Sequence, residues 1–231
     1  MPCRLVQRIH ELKKYTRLNL AVTCLLIFLI GLEIESCIYG RWYLSICVMT
    51  AVGVCLAMLF AFFHAMKKQN NRQIYHIPVN CVNWDSIVSA FSATEVCDGA
   101  YISFQKHGKL TFRILIQYFP YYDKEKISKQ RKKANQQINQ SYHIKAEAPL
   151  FETLQTARIN LIVCEEISDE LIKWVECNTE KLLSRNESII NAAVVTKENI
   201  MLFPDCLHGP SYVEVNKYEA ASRILCNSLS S

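Results

Sequence analysis

The chain has 231 residues, 51% of them hydrophobic and 20% charged, with a net charge of +5 and only 6 Gly and 6 Pro. These figures exclude a disordered or collagen-like chain. Mean hydropathy is only +0.07, but the apolar residues are concentrated, since 18–32 and 42–66 hold no Asp, Glu, Lys or Arg.

Residues 1–17 form a basic flank, with Arg4, Arg8, Lys13, Lys14 and Arg17 against Glu11. A helix crosses about 30 Å of hydrocarbon with roughly 20 apolar residues, so 18–66 predicts a transmembrane hairpin with spans at about 16–35 and 42–65. Arg17 and Glu33 would reach the headgroups at the ends of the first span. A soluble helix pair would instead leave Leu, Ile, Phe and Val in water all round, at about 25 cal/mol per Å². The connector from Glu33 to Arg41 has a net charge of −1, whereas Lys67, Lys68 and Arg72 follow the second span with no acid. Basic flanks stay cytoplasmic, which makes the chain a multi-pass integral membrane protein with both termini cytoplasmic. A cleaved signal is disfavoured because no small-x-small site precedes the second span, and Ile34-Glu35-Ser36-Cys37 places a carboxylate where a lipoprotein signal needs small or apolar residues. Ala51, Gly53, Ala57 and Ala61 would let another helix approach, either the first span or a second copy.

Eleven cysteines are present without a CxxC pair, which disfavours zinc ribbons and thioredoxin-like chemistry. Free thiols are expected in a reducing compartment. Cys3 beside the basic flank is a weak acylation candidate, and Cys206 with His208 a weak metal pair.

Residues 67–77 read as a polar linker, and 78–231 as a cytoplasmic domain. Asn83 caps a helix with Trp84, Ile87, Val88 and Phe91 on one face, and Gly99 supplies its stop. The period then falls to two: Ala100, Ile102 and Phe104, a turn at Lys106-His107-Gly108-Lys109, and Leu110 to Tyr118 predict a hairpin. Asp123 to Tyr142 predicts a polar helix with a narrow stripe of Ile127, Ala134 and Ile138. Arg158 to Cys164 reads as a central strand, and Ser168 caps a helix that buries Leu171, Ile172, Val175, Thr179, Leu182 and Leu183. Ile189–Val195 and Ile200–Phe203 predict a second hairpin. Tyr212–Val215 reads as a weak edge strand, and Asn216-Lys217-Tyr218-Glu219 as a capping box before a helix reaching Leu225. The fold class is therefore a membrane-anchored α/β (α+β) chain, with helices packed on a mixed sheet of five or six strands. A parallel pairing is expected across the Ser168 helix.

Charge is segregated. Residues 106–145 carry a local +8 and residues 146–231 a local −6. Lys124, Lys126, Lys129, Arg131, Lys132 and Lys133 fall on one helix, where each can contribute about 1 kcal/mol against anionic lipid. They are the candidate lipid- or anion-contacting residues; the same charges would also serve a solvated face or the acidic half of the chain. Glu165, Glu166 and Asp169, with Glu170, gather after the central strand, where open α/β sheets place ligands. Paired carboxylates can bind a cation or divide acid and base roles, so they are the catalytic candidates, although no lysine on that strand completes a nuclease-type core.

The histidines form no HExxH spacing, and GxGxxG and GxxxxGK[ST] are absent, so no metal and no cofactor are expected. Ser211 lacks a GxSxG setting, and the sequons at Asn139 and Asn186 would matter only outside the cytoplasm. Lipid bilayer, anionic headgroups and a protein partner or second copy are the expected partners, with nucleic acid disfavoured. The leading expectation is a membrane-anchored interaction or sensing domain. A membrane-tethered, metal-dependent hydrolase and a small oligomeric channel-like or membrane-disrupting effector are the alternatives.

Overall fold

The computed structural model describes residues 3–68, 74–80, 83–141, 156–176, 188–205 and 212–230, with the side chains of 3, 62–68, 212 and 213 not described. The chain divides into a helical unit and an α/β unit. In the helical unit, α1 covers Cys3–Ile38 and α2 covers Trp42–Lys68. Gly40, at φ +63°, makes the turn between them. The basic flank is thus continuous with the first helix. Both helices are long and apolar enough to cross a membrane, and only 6% and 11% of their most apolar stretches is buried. Exposed side chains such as Leu18, Leu20, Phe28 and Ile30 of α1 and Trp42, Tyr43, Leu44 and Leu56 of α2 fall at positions all round the two axes. Ser45 Oγ donates to the Glu33 carboxylate, tying α2 to the end of α1.

The α/β unit is built on one mixed sheet of seven strands in the order β1-β7-β6-β5-β4-β3-β2. In chain order these are β1 Ile74–Pro78, α3 Trp84–Ala90, β2 Thr94–Cys97, β3 Ala100–His107, β4 Leu110–Tyr118, α4 Lys124–Ser141, β5 Thr156–Cys164, α5 Asp169–Glu176, β6 Ser188–Val195, β7 Ile200–Pro204 and α6 Tyr212–Ser230. The expected count of five or six strands is corrected to seven. Two strands were missed: β1 lies in the stretch read as linker, and β2 is a four-residue edge strand just before Gly99. Both are short edge strands held by a single neighbour, and Pro78 fits only because it ends such a strand. Gly99, at φ +70°, turns β2 into β3 rather than stopping α3, which ends at Ala90.

The β3–β4 hairpin forms with His107 opposite Leu110, its turn using Gly108 at φ +61°. β4 pairs with β5, and β5 with β6, in parallel. The parallel pairing expected across the Ser168 helix is therefore present, and α4 makes a second crossover of the same kind. Both helices cover one face of the sheet, where Ile127, Leu171 and Val175 meet Ile162, Cys164, Ala193, Val195 and Leu202. Ala134 and Ile138 of α4 meet Cys97, Ala100, Ile102 and Leu115 further along that face. On the alternate positions of the same strands, Phe203 stacks on Tyr218 of α6 and Tyr118 on Trp84 of α3, covering the other face.

Tyr212–Val215 is helical, not an edge strand, because α6 starts at Tyr212 and buries Val215, Tyr218, Ala221, Leu225 and Leu229 at helical spacing. The capping-box tetrapeptide accordingly lies inside α6. Asn83 caps α3 as expected, accepting from Ser86 N at 2.8 Å. Thr179, Leu182, Leu183, Tyr142, Cys206, His208, Ser211 and the Asn186 sequon asparagine lie outside the described residues. Cys97, Cys164 and Cys226 are buried, unpaired thiols. Burial pushes the Cys164 thiol up to about 12, the state of an inert packing residue.

Candidate functional site

Three parallel strands end side by side, and their backbone pairing continues past the strands. Glu165 N donates to Pro120 O at 3.1 Å, and Lys197 N donates to Glu165 O at 3.2 Å. That continuation brings together the residues after β4, β5 and β6. Tyr118 Oη donates to Glu165 Oε1 at 3.1 Å. Lys197 Nζ lies 2.6 Å from Glu166 Oε1 and 3.7 Å from Glu165 Oε2. The hydrogen bond to Glu166 raises the Lys197 pKa above its ordinary value, and burial, then the bond to Glu165, raises that of Tyr118. Asp169 and Glu170 occupy the first turn of α5, with Ser168 Oγ capping it by accepting from Leu171 N at 3.1 Å. The carboxylates that the sequence gathers here are thus met by an ammonium, a phenol and a helix N-terminus. Among the described residues, no group of three or more His, Cys, Asp or Glu side chains is placed to hold a metal ion.

The basic segment forms α4 as expected. Asp123 precedes it and accepts from Glu125 N at 3.1 Å and Lys126 N at 3.0 Å; these backbone bonds, with Lys126 foremost, hold its carboxyl below the usual range. The stripe Ile127, Ala134 and Ile138 is buried. At about 3.6 residues per turn, Lys126, Lys129 and Lys133 fall on one flank of that stripe, Lys132 on the outward side of the helix, and Lys124 and Arg131 on the other flank. Lys126 lies 3.3 Å from Asp123. Lys129, Lys132 and Lys133 are exposed and have no ion-pair partner among the described residues.

The first flank borders a depression of about 550 Å³ lined by Cys97, Asp98, Phe119, Lys126, Lys129, Gln130, Lys132, Lys133 and Gln136. Gln130 builds its wall. Its amide accepts from the buried Gln117 at 2.6 Å and donates to Asp98 O at 2.6 Å. A Cβ on Gly99 would stand 3.2 Å from Gln130 Nε2, so the β2–β3 turn and α4 are closely fitted. A second depression of about 590 Å³ lies at the start of α4, bounded by Phe119–Lys126 and Glu170.

Sequence reasoning found the basic helix and the carboxylates but missed Tyr118, Lys197, Cys97, Asp98 and Gln130. Lys197 stands in a hairpin turn and Asp98 before a glycine, which marks them as turn residues; nothing local says which charges they will face. Protein-family models, curated proteins and solved structures offer no match to this chain.

Proposed function

We propose that this chain is a membrane-anchored interaction domain, in which α1 and α2 cross the bilayer as a hairpin and the α/β unit meets anionic headgroups through α4. Support for the anchor is the continuous apolar exposure of both helices, which water would penalise and hydrocarbon would not. The basic flanks favour a cytoplasmic position for the α/β unit. One observation carries the binding reading: Lys129, Lys132 and Lys133 are exposed on the outward side of α4 with no carboxylate paired to them among the described residues, whereas Glu165 and Glu166 already share Lys197. An uncompensated basic face beside a bilayer gains about 1 kcal/mol per residue near anionic lipid, and tethering keeps it at high effective concentration.

The test is lysine footprinting of the full chain in lipid nanodiscs, with acetylation read residue by residue. Discs containing phosphatidylserine should protect Lys129, Lys132 and Lys133 relative to phosphatidylcholine discs, and the protection should fade as salt shortens the Debye length below about 8 Å. Equal acetylation in both discs would end the lipid reading. Orientation is tested separately with an impermeant thiol reagent on intact cells, using Cys37, which is exposed, and a cysteine introduced by Lys109→Cys, because Cys97 is buried. Labelling of the introduced cysteine from outside, with Cys37 silent, would invert the topology.

A further inference from the structure

We infer that the depression between the β2–β3 turn and α4 is a binding site for the multiply phosphorylated, polyhydroxylated headgroup of a membrane lipid. This inference rests on the reading of α4 as the membrane-facing basic element, and it adds a defined site and ligand class to what is otherwise a diffuse attraction. The cavity, at about 550 Å³, is within the range of about 300–1,000 Å³ typical of small-ligand sites.

Its lining selects the ligand. Lys126 and Lys133 are seven positions apart on α4, a rise of about 10 Å at about 1.5 Å per residue. A ring bearing two or three phosphates can meet ammonium groups anchored along that length of helix at several points at once, which a single phosphate does less fully. Lys129, Lys132 and Lys133 have no competing carboxylate partner among the described residues, so their charge is available to phosphate oxygens. Asp98 is exposed on the opposite rim. A carboxylate there repels an uninterrupted polyanion but accepts from a hydroxyl group, as the Gln136 amide also can. The combination suits a ring that alternates phosphates with hydroxyls, and disfavours a nucleic-acid backbone.

The wall is preorganised. Gln130 is held at both ends of its amide, by Gln117 and by the Asp98 carbonyl, and Gly99 holds the turn at φ +70°. The rim that carries Asp98 is therefore fixed against α4 before any ligand arrives, which lowers the ordering cost of binding.

The experiment uses the full chain in phosphatidylcholine nanodiscs, titrated with inositol 1,4,5-trisphosphate. We expect saturable binding that Lys129→Ala and Lys133→Ala each weaken by about tenfold. Lys124→Ala removes the same charge from the other flank and should change binding by less than about twofold. Gln136→Trp fills the exposed rim without altering charge and should abolish binding. A second arm places a bisphosphorylated phosphatidylinositol in the discs, where Lys129, Lys132 and Lys133 should gain protection that the soluble trisphosphate competes away. Equal losses from Lys124→Ala and Lys133→Ala, or citrate at matched charge competing equally, would overturn the site while leaving the phosphatidylserine result intact. Soluble binding without protection in the second arm would overturn the lipid source. Saturable trisphosphate binding with no phosphatidylserine protection would instead overturn the broader lipid reading and leave the cavity standing.

Discussion

Two charged regions of the α/β unit sit close in the fold and differ in what surrounds them. The acidic residues after β5 face the ends of neighbouring strands, which deliver Lys197 and Tyr118 to Glu165 and Glu166. The basic residues of α4 face outward from a helix whose inner stripe alone is buried, and Lys124, Lys129, Lys132 and Lys133 have no ion-pair partner among the described residues. The difference teaches that charge density in a sequence does not identify a site. Charge that the fold itself neutralises has a structural account already; charge that it leaves beside a cavity does not.

The largest expected effect separates the two faces of α4. Ile138→Ala removes a fully buried side chain and should cost about 2–5 kcal/mol, whereas Lys132→Ala on the exposed side should stay within about 0.5 kcal/mol. Urea denaturation followed by tryptophan fluorescence of Trp84 and Trp174 measures both. Similar costs would mean that the lysine flank is also packed, and would remove the basis for calling it free.

A smaller effect sharpens the acidic side. Tyr118→Phe retains the ring beside Trp84 and removes the hydroxyl that Glu165 accepts, at a cost of about 0.5–1.5 kcal/mol. Because the folded Tyr118 pKa is raised, its contribution is complete below the ordinary phenol value of about 10 and is lost as pH rises through the folded value. The variant should therefore flatten the alkaline loss of stability seen in denaturation midpoints. An unchanged alkaline limb would show that the Tyr118–Glu165 bond adds nothing.

The smallest effect concerns metal. In the parent chain, millimolar magnesium, calcium or manganese should leave the melting temperature unchanged, since Lys197 already occupies the space between Glu165 and Glu166 and offsets one of their two charges. Lys197→Met should introduce a modest cation-dependent rise by releasing two neighbouring carboxylates. Stabilisation of the parent chain by a divalent cation would reverse the comparison and favour the hydrolase alternative built on Glu165, Glu166 and Asp169.

The sequence alone determined whatever depends on local periodicity and local chemistry. Charge-free runs marked α1 and α2, alternation marked β3 and β4, and Asn83 and Ser168 marked helix starts that cap as expected. The stripe Ile127, Ala134 and Ile138 is buried as read, because a helix that touches a sheet along one line needs apolar residues only there. Tertiary structure decided the rest. β1 and β2 are too short to carry a periodic signal and exist because β7 and β3 offer an edge to pair with. The Tyr212–Val215 segment alternates like a strand but becomes helix because α6 gains a longer buried stripe that way. The pairing of Lys197 with Glu166, across 31 positions of sequence, and the meeting of Asp98 with Gln130, across 32, follow from strand order. Strand order is set by which faces can be buried together, a property of the whole chain that no local window contains.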